Sequence, residues 1–161
     1  MNGGGCERVE LAEGALALYA DAFVAEAPCW YAALMREVRW EQHWLTLFGR
    51  RIAAPRLSAW YAEPGCSYRY SGLSLAAQPF TPVLAQIRAR TEALAGHGFN
   101  SVLLNVYRDG ADGMSWHSDD EPELGPAPLI ASVSLGATRR FLLRRRDAHP
   151  VRVGLDLVDG S

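Results

Sequence analysis

The rhythm of apolar and polar positions changes several times along the chain, and each change marks an element. Ala15 to Phe23 is an apolar run that predicts a first strand. Glu26 to Val38 carries Ala, Leu and aromatic residues at nearly helical spacing, which predicts a helix. Glu41–Phe48 and Leu57–Ala62 read as extended segments separated by a Gly- and Pro-marked loop, and Tyr68–Tyr70 alternates before turning at Ser71 and Gly72. Thr81 followed by Pro82 is a helix start, because the hydroxyl can cap free amides and proline suits the first helical position. That helix should carry Val83, Leu84, Ile87 and Leu94 on one side and stop at Gly96. Beyond Phe99 the pattern is strand-like: Ser101–Tyr107, Met114–His117, Leu129–Leu135, Arg140–Leu143 and Val151–Leu157. The expected class is α+β, two helices with a sheet closing as a sandwich or barrel. One domain is expected over residues 15–161, with a disordered or irregular N-terminus over residues 1–14 that includes Gly3 to Gly5.

Composition narrows this little. With 161 residues, 49% hydrophobic and 21% charged, the chain is sized for one domain with a real core. No apolar run is long enough for a membrane helix, since Asp21 interrupts the richest one, and no basic-then-apolar leader opens the chain. Cys6, Cys29 and Cys66 are odd in number and unpaired in spacing, which disfavours a zinc ribbon. A reduced cytoplasmic protein is expected, monomeric and without a membrane partner. Charge is more informative in its distribution than in its net value of −2. All 16 basic residues are Arg, six of them between Arg139 and Arg152, and Arg50, Arg51 and Arg56 form a second group. Arginine suits phosphate contacts and stacking on bases, although solvated strand faces explain the same clusters equally well.

Candidate chemistry concentrates between Asn100 and Glu123. On an extended backbone, positions i and i+2 face the same way. His117 and Asp119 would then stand side by side as two metal ligands, and Asn105 and Tyr107 would present an amide and a phenol to one ligand. Two His plus one carboxylate is the donor set of non-haem Fe(II) oxygenases. A plain reading competes in each case: a hydrogen-bonded surface pair for His117 and Asp119, ordinary strand alternation for Asn105 and Tyr107.

Taken together, the short motifs resemble one family. Asn105-x-Tyr107, His117-x-Asp119 and Ala131 to Gly136 are similar to the core of the AlkB-type Fe(II)/2-oxoglutarate dioxygenases. Leu47 to Arg50, Pro55-Arg56, Tyr61 and Tyr68 to Gly72 match in order upstream, and His117 to Glu121 is closest to the DNA-demethylating subclass. The resemblance implies a double-stranded β-helix (jelly-roll) core with two supporting helices. It also implies Fe(II) held by His117 and Asp119, 2-oxoglutarate held by Asn105 and Tyr107, and dioxygen as second co-substrate. Tyr68, Ser71 and Glu121 would line a pocket for an extruded base, with Arg56 nearby, and Phe48 would fill the gap in the base stack. An apolar wedge offsets the cost of rotating a base out of a duplex. The implied activity is oxidative demethylation of N-alkylated bases in DNA, with RNA as the alternative substrate, releasing formaldehyde.

The sequence departs from that pattern at its end. The resemblance calls for a second His after a Gly-Ser turn, then Arg residues for the co-substrate. Here Asp159 stands where that turn usually carries His, and Ser161 is the last residue. His43 and His97 lie too early, and His149 is an unfavourable substitute beside Pro150. A C-terminally incomplete dioxygenase domain is therefore expected, weak in metal binding. The alternatives are a same-fold dioxygenase for another substrate and a non-catalytic nucleic-acid-binding remnant.

Overall fold

The structure is a computed structural model and describes residues 5–11, 14–47, 49–66, 68–70, 73–75, 77–145 and 152–161, with side chains except at 46–47, 68–70, 73–75 and 152. Phe48, Ser71 and His149 lie outside the described residues, as does the side chain of Tyr68. The chain divides into two compact units, one of Met1–Met35 with Ser132–Ser161 and one of Arg36–Ala131.

In the first unit, β1 (Cys6–Leu11) and β2 (Gly14–Tyr19) form an antiparallel hairpin in which Cys6 pairs with Tyr19 and Leu11 with Gly14. The expected irregular N-terminus thus contains a strand, and the expected strand to Phe23 ends at Tyr19. Phe23 instead begins a turn, its carbonyl accepting from the amides of Glu26 at 3.0 Å and Ala27 at 2.8 Å. Helix α1 (Ala27–Glu37) follows as its spacing predicts, burying Ala27, Trp30 and Leu34 on one stripe. Trp30 packs on Phe23 with ring centroids 5.3 Å apart.

The second unit is built on a strand pair. β5 (Leu57–Ala62) runs antiparallel to β8 (Ser101–Val106), and every residue from Ser58 to Ala62 is buried. On its other edge β5 is bridged by Glu41 at Ser58 and by Gln78 at Tyr61. Two short hairpins, β3 (Trp44–Leu47) with β4 (Arg50–Ala53) and β6 (Tyr68–Tyr70) with β7 (Leu73–Leu75), complete the strands before the second helix.

Helix α2 (Pro82–Ala95) has the ends its sequence predicts. Thr81 Oγ1 accepts the Leu84 amide at 3.3 Å, and Gly96 closes the helix in the left-handed region with φ of 64°, donating to the Glu92 carbonyl. Val83 and Leu84 are buried, whereas Leu94, expected on the same apolar side, is 42% exposed in the last turn. Arg88 ties the helix to the end of β5, reaching Glu63 at 2.7 Å and Glu92 at 2.8 Å.

The expected strands Met114–His117 and Leu129–Leu135 are not strands among the described residues. Pro122, Pro126 and Pro128 lie between them and offer no amide to a ladder, so pairing has little to propagate through. Back in the first unit, Ser134 retains a fragment of pairing: its amide donates to Ser161 at 2.9 Å and its carbonyl accepts from Gly160 at 2.8 Å. β9 (Arg139–Arg144) and β10 (Arg152–Leu157) then close as an antiparallel hairpin. The described strands thus form five two-stranded antiparallel sheets. No helix among the described residues is long and apolar enough to cross a membrane.

Candidate active site

The β5–β8 pairing places Ser58 directly opposite Asn105. In antiparallel sheet such partners share a face at close approach, and here they bond: Ser58 Oγ donates to Asn105 Oδ1 at 2.8 Å. Arg56, just before β5, donates its Nε–H to the same oxygen at 3.0 Å. Arg56 and Ser58 are each only 5% exposed, and Asn105 is half-buried. A guanidinium can only donate, so the atom facing it must be the carboxamide oxygen. The Asn105 NH2 group is therefore turned away from both donors. Tyr107, half-buried, follows two residues later.

Past β8 the chain is locked before it reaches His117. Asp109 Oδ1 accepts the Ala111 amide at 2.8 Å, an Asx turn. Asp112, 7% exposed, takes Arg108 through Nε at 2.7 Å and Nη2 at 2.9 Å, and also the Arg108 amide at 2.9 Å. This forked contact raises the Arg108 pKa further above its ordinary value. The Gly113 amide donates to the Pro55 carbonyl at 2.9 Å, fixing the loop to the residue before Arg56. Gln42 bridges the same region, donating to the Ala54 carbonyl at 2.8 Å.

His117 and Asp119 emerge from this anchor on irregular backbone, not on a strand. Even so, His117 Nε2 lies 3.5 Å from Asp119 Oδ1, with side chains 40% and 47% exposed. His117 Nδ1 is 3.0 Å from the Ser115 carbonyl. A carbonyl only accepts, so that nitrogen carries a proton and, in the neutral ring, Nε2 presents its lone pair towards the carboxylate. Ring orientation by a backbone carbonyl is the usual support of a metal-binding histidine. Two donors each about 2.1 Å from one ion stand roughly 3.0–3.4 Å apart, so this pair fits a shared cation with a few tenths of an ångström of adjustment. Glu121, half-buried, opens the 3-10 turn Pro122–Leu124, and its carbonyl accepts the Leu124 amide at 3.0 Å.

Among the described residues no group of three or more His, Cys, Asp or Glu gathers around a common point. Asp159 has a different task in the first unit, where its Oδ1 accepts the Gly136 amide at 2.7 Å. Of the residues the sequence singled out, the structure brings together His117 with Asp119 and Arg56 with Asn105. Ser58, Asp112 and Gln42 escaped notice. Asp109-Gly110 and Asp112-Gly113 are turn signals in the sequence, but nothing local signalled that Asp112 would clamp Arg108.

A family profile described as the 2OG-Fe(II) oxygenase superfamily matches residues 19–161. Among similar proteins is the alpha-ketoglutarate-dependent dioxygenase alkB homolog 3 of Bos taurus, 43% identical over 122 residues, covering 75% of this chain and 42% of the relative. The DNA oxidative demethylase ALKBH2 of Mus musculus is 40% identical over 142 residues, covering 80% of this chain and 59% of the relative. ALKBH2 of Homo sapiens is 43% identical over 122 residues, covering 71% and 47%. The chain thus matches about two-fifths to three-fifths of the length of these relatives.

Proposed function

This chain belongs to the 2OG-Fe(II) oxygenase superfamily and is of the AlkB type, and we propose that it serves oxidative demethylation of N-alkylated bases in DNA, coupled to 2-oxoglutarate decarboxylation. The observation that carries the proposal is the His117–Asp119 pair, with its imidazole oriented by Ser115. One neutral imidazole nitrogen and one carboxylate are donors suited to non-haem Fe(II), so these two residues would hold the ion. Fe(II) bound there with 2-oxoglutarate would supply the dioxygen activation needed to hydroxylate the alkyl carbon.

The chain's own residues supply position and selection. Asn105 and Tyr107 would hold 2-oxoglutarate through hydrogen bonds. Glu121, a half-buried acceptor, suits the exocyclic amine or cationic ring of a methylated base. Arg56 lies beside the co-substrate group through its bond to Asn105, a placement that supports a role at the inner end of the base pocket. Tyr68 and Ser71 would complete that pocket and Phe48 would occupy the vacated stack. The architecture expected for these roles is the double-stranded β-helix. Three free cysteines support a reducing compartment such as the cytoplasm.

The test is to incubate the chain with Fe(II), 2-oxoglutarate and a DNA oligonucleotide bearing an N-methylated base, measuring succinate and formaldehyde. With two protein ligands described in place of three, slow turnover is expected, with the two products in equal yield and absent with unmethylated DNA. Succinate without formaldehyde would keep the dioxygenase reading and remove the substrate. A parallel methylated RNA arm that outpaced DNA would reassign the substrate to RNA. No succinate under any condition would count against the activity itself.

A further inference from the structure

We infer that Ser58 and Arg56 are positioning residues for the co-substrate: they hold the Asn105 carboxamide in the one orientation that can bind an anion. The inference rests on the proposed 2-oxoglutarate site and assigns to it a residue, Ser58, outside the motifs that point to the site.

A primary amide has two unlike ends, an oxygen that accepts and a nitrogen that donates two hydrogens. An asparagine facing a carboxylate must turn its nitrogen towards it, because the oxygen would repel the charge. In solution the two orientations interchange by rotation about a single bond. In this fold they cannot do so freely. Asn105 Oδ1 accepts from the Arg56 guanidinium at 3.0 Å and from the Ser58 hydroxyl at 2.8 Å. Flipping the amide would set its NH2 against a guanidinium that can only donate, and would break a charge-assisted bond. Both donors are 5% exposed, so water is poorly placed to substitute for either.

The source of the two donors explains why the arrangement is stable. Ser58 is fixed by the β5–β8 register and by its own backbone bridge to Glu41, two bonds of 3.0 Å. The Arg56 carbonyl also lies 3.4 Å from Gln42 Nε2. Neither donor needs to touch the co-substrate; both act through Asn105.

The experiment is calorimetric titration of 2-oxoglutarate into the 161-residue chain loaded with Mn(II), a redox-inert stand-in, so that binding is read without turnover. Ser58→Ala is expected to weaken binding about five- to tenfold, the worth of one lost hydrogen bond, and Ser58→Thr to restore most of it. Asn105→Asp should abolish binding while preserving both donor contacts. The decisive variant is the pair Ser58→Ala with Asn105→Ala. If Ser58 acts through Asn105, adding Ser58→Ala to Asn105→Ala changes nothing further. An independent fivefold loss in that background would overturn the inference, as would unchanged binding by Ser58→Ala alone. Failure of the unaltered chain to bind 2-oxoglutarate would overturn the functional proposal and this inference with it. Arg56→Lys gives a second reading should Ser58→Thr not fold, since lysine still donates but cannot keep the Nε geometry; it should fall between the unaltered chain and Ser58→Ala.

Discussion

The two halves of the candidate site are built in opposite ways. Asn105 is gripped by two buried donors, Ser58 on β5 and Arg56 just before it, its amide orientation settled before any ligand arrives. His117 and Asp119 stand 40% and 47% exposed on irregular backbone, joined at 3.5 Å, with Ser115 orienting one ring. The first half is organised by the protein, while the second is two donors on an anchored loop, to be drawn together by an ion. Preorganised groups contribute to folding whether or not they are used, whereas exposed ligands contribute to binding and little else.

The sharpest way to break that contrast is His117→Ala. Mn(II) binding, followed by electron paramagnetic resonance, should fall at least about a hundredfold with a protein ligand gone, while stability in urea changes by less than about 0.5 kcal/mol. A large stability loss would mean that the pair is structural and the contrast false. Arg56→Ala should behave in reverse. It removes a buried charged donor to Asn105, so a destabilisation of about 2–3 kcal/mol is expected, with Mn(II) binding altered far less. Asp112→Asn tests the hinge between the halves. It weakens the forked contact with Arg108, and about 1–2 kcal/mol should be lost in urea. Mn(II) affinity should drop by a few-fold, because the loop bearing His117 starts from that clamp.

How much of this was legible depended on range. Helix α2 could be read from neighbours alone, since Thr81, Pro82 and Gly96 act within a turn of where they sit. β5 and β8 were legible as strands from their composition, but Ser58 opposite Asn105 was not, because register is set by contacts 47 residues apart. His117 and Asp119 were paired on the premise of a strand that is absent; residues 114–120 are irregular. A spacing of two survives that error because an anchored loop also keeps such side chains close, the anchor here being Asp112. The expected strand over Leu129–Leu135 failed for the complementary reason. Its apolar alternation was real, but a strand needs a partner, and among the described residues of this stretch only Ser134 finds one.

The smallest expected effect probes the scaffold behind Asn105. Glu92 on α2 accepts the Phe99 amide at 2.8 Å, just ahead of β8, and Arg88 Nε at 2.8 Å. The Phe99 amide first, and then Arg88, lower the Glu92 pKa below the usual carboxylate value. A carboxylate whose pKa is lower folded than unfolded stabilises the fold above its unfolded pKa, near about 4.3. That contribution is lost as pH falls through the folded value. Glu92→Gln should therefore be less stable than the unaltered chain at pH 7, and the gap in urea midpoint should close as pH falls below about 4. A gap that stayed constant down to acid would show that the packing of residue 92, not its charge, holds the start of β8. Mn(II) affinity at pH 7 should be the same in both proteins, since Glu92 supports the organised half of the site and not the exposed pair. A matching loss of metal affinity would mean that the two halves are coupled through β8, and the contrast between them would have to be given up.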